Sequence, residues 1–261
     1  MHRPAARATH EERMAEETEA NRKVRHQRWE REPPTGGVWI ERRRLATALR
    51  KVIAHLTVAN TPEDELRAAA DRLEEYATHL ASHERRPYLG FAETAIAQEP
   101  NAHSETEPEE AGGHFDFSPL IGQSNPLSPP IHCWAEGDHA LATVEFGTPY
   151  EGPPGHVHGG YVAAAFDEVL GYAQALTGQP GMTGTLTIKY RKPTPLHTEL
   201  RFDCWVDRVD GRKVFAGGTL HAGDMLCAEA EAIFVSMSPD RFRALVEERR
   251  RQRPDSTESG E

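Results

Sequence analysis

Between Trp39 and Ser82 the apolar residues recur at helical spacing, first Leu45, Leu49, Val52, Ile53 and Leu56, then Leu66, Ala70, Leu73, Tyr76, Ala77 and Leu80. This period predicts two amphipathic helices. The break between them carries start signals for the second helix: Thr61 as N-cap, Pro62 in the first turn and Asp64 where a capping-box acid stands. Residues 37–84 are therefore expected to form an N-terminal helical hairpin. Two helices of this length bury too little surface to stand alone, so they should pack on copies of themselves in an oligomer or against the rest of the chain.

Beyond Asn125 the period falls to two. Strands are predicted at Ala140–Gly147, Thr183–Arg191, Glu199–Val209, Lys213–His221 and Met225–Ser238. Leu200, Phe202, Cys204 and Val206 alternate with Arg201, Asp203, Trp205 and Asp207, as in a sheet with one covered face. Asp210-Gly211 and Ala222-Gly223-Asp224 mark tight turns, so the last three strands should form an antiparallel meander. Between the first and second strands, a segment from about Gly160 to Thr177 is apolar around nearly its whole circumference. The expected α+β architecture is one strand, one wrapped helix, then four strands.

Composition separates the remaining segments. Residues 1–36 are almost free of large aliphatic side chains and are dense in both charges, which reads as a mobile charged arm. Residues 85–125 turn to Glu, Pro, Gly, Ser and His and read as a linker. The sheet-forming domain then spans 126–240, and 241–261 is a charged tail. A formal net charge of -11 argues against a nucleic-acid partner, which would need clustered Lys and Arg. Cys133, Cys204 and Cys227 are too few and too far apart for a disulfide framework or a thiolate metal site, and Cys204 and Cys227 read as core residues. The N-terminus lacks a signal-peptide core, contains Glu11, Glu12, Glu16 and Glu17, and no run reaches membrane-spanning length. A cytoplasmic protein with reduced thiols is expected.

The chemistry gathers around the apolar helix. Gly155-His156-Val157-His158-Gly159-Gly160 precedes it, and glycines there let a ligand approach the free N–H groups of the first turn. Asp167 lies between Ala163 and Ala164 on the preceding turn and Leu170 and Gly171 on the next, with almost no other polar residue to mark a solvent face. A buried, functional acid is the expectation. Eight residues separate Gly159 from Asp167, about 12 Å along a helix, so one chain does not bring both to one carbonyl. Two antiparallel copies of the helix would, which predicts a dimer with shared sites.

His158-Gly159-Gly160 followed by Asp167 nine residues after the His resembles the motif of hot-dog thioesterases of the PaaI and THEM4 type, and Met182-Thr183 opens a strand where that family has a hydroxyl residue. The resemblance covers roughly the last 105 residues and leaves the first 120 outside. It implies a hot-dog fold and acyl-CoA hydrolysis without metal or cofactor, CoA being part of the substrate. Asp167 would activate water or act as nucleophile, the Gly159 N–H would stabilise the oxyanion, and Thr183 would position the water or the Asp. His158 would orient the loop or meet the departing thiolate, with a purely structural His as the other reading; His156 has weaker claims. Gly160 and Tyr161 would line the substrate site. Lys189, Arg191 and Lys192 are candidates for the CoA phosphates, against the plain reading of a solvated strand face. Gly152, Pro153 and Pro154 stand where some relatives carry an Asn or Gln, so a substrate-orienting amide is missing. A homodimer or dimer of dimers acting on acyl-CoA is the leading reading; a non-catalytic acyl-CoA sensor and a hot-dog hydratase are the alternatives.

Overall fold

The computed structural model describes residues 37–83, 115–179 and 181–238, together with Arg241, Ala244 and Glu248. The charged arm 1–36, most of the expected linker and most of the C-terminal tail lie outside the described residues.

The hairpin consists of α1 (Gly37–Leu56) and α2 (Glu63–Ala81). The start of α2 differs from expectation in its capping. Pro62 holds the N-cap position, its carbonyl accepting from the Leu66 N–H at 3.0 Å, and no side chain caps the helix. Glu63, Asp64 and Glu65 supply the negative charge that the first turn favours. α1 is docked while α2 buries no residue. Arg43 makes a two-pronged ion pair with Asp116, at 2.7 and 2.8 Å, and Ser124 donates to the same carboxylate at 2.8 Å. Trp39 packs on Phe117, and Arg50 donates to the carbonyls of Gln123 and Asn125. Residues 116–125, expected as linker, are therefore folded onto α1: Asp116, Ser118 and Ser124 are buried.

The sheet has six strands among the described residues. They are β1 (His132–Glu136), β2 (His139–Glu145), β3 (Gly181–Tyr190), β4 (Glu199–Asp210), β5 (Lys213–Ala222) and β6 (Met225–Ser236). All pairs are antiparallel and the order is β1-β2-β4-β5-β6-β3. The meander β4-β5-β6 matches expectation, but two strands, not one, precede the helix. β1 is a five-residue strand joined to β2 through Gly137, whose φ of 64° suits a tight turn.

One helix, α3 (Gly159–Leu176), lies against one face of this sheet. Val162, Ala165, Phe166, Val169, Leu170, Tyr172, Ala173 and Leu176 are buried there with Leu200, Phe202, Cys204, Val214, Leu220 and Phe234. Phe166 meets Phe202 edge-on at 5.0 Å. The wrapping is incomplete, because Ala163, Ala164, Asp167, Gly171 and Ala175 form a half-buried stripe. That stripe adjoins β3, an edge strand whose Met182, Thr183, Thr185 and Thr187 are exposed. Among the described residues no helix is long and apolar enough to cross a membrane.

Candidate active site

The loop before α3 folds back on itself. Gly152 N–H donates to the His156 carbonyl at 2.9 Å, His158 N–H to Tyr150 at 2.8 Å, and Val157 N–H to Thr194 at 2.8 Å. A Cβ at Gly152 would sit 2.7 Å from the His158 Cα, so the close return of the chain requires glycine there. This explains why no amide side chain occupies that approach. The His156 ring hydrogen-bonds the Pro154 carbonyl at 2.8 Å and so locks the loop.

His158 is the N-cap of α3. Its backbone is extended (φ -60°, ψ 131°), and its Nδ1 accepts from the Gly160 N–H at 3.0 Å. The N–H groups of Tyr161 and Val162 go to the His158 carbonyl. Gly160, expected to line the substrate site, has its N–H engaged by His158, while the Gly159 N–H has no hydrogen-bond partner among the described residues. An unpaired donor at the positive end of a helix is suited to an oxyanion. Tyr161 is exposed, edge-on to Tyr150 at 4.8 Å and near the His158 ring. Tyr190, which the sequence pattern did not single out, donates its hydroxyl to the Gly159 carbonyl at 2.7 Å.

Two turns further along α3, Asp167 accepts a hydrogen bond at Oδ1 from Thr183 Oγ1 at 2.7 Å. Oδ2 has no hydrogen-bond partner among the described residues. Asp167 is half-buried on the open stripe, not enclosed as expected. The more confined acid is its neighbour Glu168, which faces the β1 side near Cys133. Desolvation, with the Asp167 charge as a second cause, pushes the Glu168 carboxyl up to about 7. Burial likewise pushes the Cys133 and Cys204 thiols up, as suits core sulfur.

The basic cluster is divided by the register of β3 against β6. Lys189 pairs with Glu231 at 2.7 Å and Arg191 with Glu229 at 2.5 Å on the outer face of the sheet. Tyr190, between them, points to the helix side. Lys192 is exposed and has no ion pair among the described residues. His158, Gly159, Gly160, Tyr161 and Tyr190 thus gather at the start of α3, and Asp167 and Thr183 form a second group about 12 Å away.

The sequence pattern of the thioesterase superfamily matches residues 154–233, from the loop before α3 into β6. A crystal structure of a thioesterase superfamily protein is 31% identical to this chain, with a TM-score of 0.65, and the match covers 78% of this chain and 97% of that one. This chain belongs to the thioesterase superfamily. The sheet around α3 is its hot-dog fold, and a coverage of 78% is too large for residues 126–240 alone, so the likeness reaches into the N-terminal region. Among curated proteins, acyl-coenzyme A thioesterase THEM4 of Xenopus laevis is 38% identical over 94 residues, which is 35% of this chain and 42% of that protein. The Mus musculus THEM4 is 34% identical over 103 residues, 39% of this chain and 44% of that protein. The match thus spans less than half the length of these curated relatives.

Proposed function

We propose that this protein is an acyl-CoA thioesterase whose site is assembled from two chains. The observation that carries the reading is a Thr183-held Asp167 on the same helix whose first N–H, that of Gly159, is unpaired among the described residues. The THEM4 relatives, named acyl-coenzyme A thioesterases, support the substrate class. A carboxylate and an oxyanion donor are complementary halves of an acyl-transfer site, and they are too far apart on one α3 to act on one carbonyl. Antiparallel packing of two α3 helices along the Ala163, Ala164, Asp167 and Gly171 stripe, with β3 edges side by side, brings Gly159 of one chain to Asp167 of the partner subunit. The small residues of the stripe and the unpaired β3 edge support that arrangement.

In this site the thioester oxygen takes the Gly159 N–H. Asp167 Oδ2 removes a proton from water, which adds to the carbonyl carbon; collapse of the tetrahedral intermediate breaks the C–S bond and releases CoA thiolate. Direct attack by Asp167 uses the same geometry and passes through an anhydride that water then opens. The chemistry asks for no metal or cofactor. Lys192, without a carboxylate partner among the described residues, is the basic residue assigned to the CoA phosphates, ahead of Lys189 and Arg191.

Free-thiol release from a panel of short, long and aromatic acyl-CoAs tests this reading. The unaltered protein should turn over at least one class, and Asp167→Asn should lower that rate by two orders of magnitude or more, as loss of a general base does. Saturable binding of acyl-CoA with no thiol release from any of them would overturn it in favour of a sensing protein.

A further inference from the structure

Two hydrogen bonds at the start of α3 share one peptide group. The Tyr190 hydroxyl donates to the Gly159 carbonyl at 2.7 Å, and the Gly160 N–H of the same peptide donates to His158 Nδ1 at 3.0 Å. A backbone N–H only donates, so Nδ1 must be an acceptor, and neutral His158 carries its proton on Nε2. Hydrogen bonds in series polarise one another: a donor on the carbonyl oxygen makes the N–H at the other end of the amide a better donor. The Tyr190 ring also lies against Gly159, where a Cβ would come within 3.2 Å of its hydroxyl.

We infer that Tyr190 is a positioning residue that, through the Gly159–Gly160 peptide, fixes His158 as the Nε2–H tautomer with that proton offered outward from the oxyanion turn. This deepens the thioesterase reading and rests on it for its kinetic consequence. Nε2–H, which donates to no described residue, is then the ring donor left for the sulfur or oxygen of the thioester as negative charge develops. Tyr190 sits at the end of β3 with more than half its surface exposed, and its hydroxyl, not its packing, makes the link.

The test uses the full chain. Imidazole 15N spectra, with His158 assigned by its disappearance in His158→Gln, should show the unaltered protein with Nδ1 unprotonated and Nε2 protonated at neutral pH. Tyr190→Phe keeps the ring and removes the donor. It should draw the two His158 nitrogen resonances together as tautomers mix, and lower kcat about three- to tenfold, the value of one neutral hydrogen bond, with KM for the acyl-CoA nearly unchanged. A His158 protonated on Nδ1 in the unaltered protein would overturn the inference without any variant. So would a Tyr190→Phe protein whose His158 resonances and kcat stay where they were. If no acyl-CoA is hydrolysed at all, the functional reading fails while the spectra still decide the relay.

Discussion

Asp167 and Glu168 are adjacent acids that the helix turns toward different surroundings. One step of about 100° separates their side chains. Asp167 faces the open stripe and receives the Thr183 hydroxyl, which holds one oxygen and leaves the other to work. Glu168 turns toward β1, where loss of water raises its carboxyl to about 7. Because the folded value lies above the unfolded one, the fold favours the protonated form. That stability is fully present below about pH 4.5 and is lost as pH rises through about 7. Glu168→Gln removes the titration. Thermal unfolding should therefore show the variant more stable than the unaltered protein at pH 8.5, by about 3 kcal/mol, with little difference at pH 4.5. The motif His158-Gly159-Gly160 and Asp167 was legible at this scale because its spacing is local. Which of the two acids is confined was not, because that depends on β1. The Lys189 and Arg191 partners were hidden for a similar reason: Glu231 and Glu229 lie some forty residues away and meet them only through the β3–β6 register.

At the scale of elements, α3 and β3 each present one surface that no described residue covers. Ala163, Ala164, Asp167 and Gly171 make the open stripe of α3, and β3 ends the sheet with exposed Thr185 and Thr187. A long β-branched edge beside a stripe of small residues is the surface a second copy would cover. Ala164→Arg places a bulky charge in the middle of that stripe, one turn before Asp167. Sedimentation velocity should find a dimer for the unaltered protein and a folded monomer for the variant, and the monomer should release no thiol. The alternation of β4, β5 and β6 and the apolar run of α3 made most of this architecture readable. β1 escaped because five residues, His132–Glu136, show too little of a period to stand out beside Pro129 and Pro130.

Across the whole molecule, the N-terminal region is attached to the hot-dog domain through α1. The Arg43–Asp116–Ser124 cluster ties the helix to the segment entering β1, and Arg50 lies beside Tyr150, which in turn meets Tyr161 at the start of α3. Helical periodicity revealed the two helices but not this docking, because the docking uses an Arg and an Asp that read as solvated charges and lie 73 positions apart. Arg43→Ala leaves the buried Asp116 without its counter-charge. Chemical denaturation should report a loss of about 2 kcal/mol, and Arg43→Lys should recover only part because it cannot pair at two oxygens.

The central claim is that each site takes its oxyanion donor from one chain and its carboxylate from the other. Gly159→Pro deletes the donor at a first-turn position whose backbone proline can adopt, with His158 already extended before it and the exposed Tyr190 ring shifting by a few tenths of an ångström to admit the new Cβ, and Asp167→Asn deletes the base. Each variant alone should be nearly inactive in thiol release. Unfolding and refolding the two together pairs them at random, so half of the dimers are mixed, each with one intact site, and about a quarter of the unaltered activity should return. A mixture no more active than its components, with mixed dimers demonstrably present, would contradict the shared site.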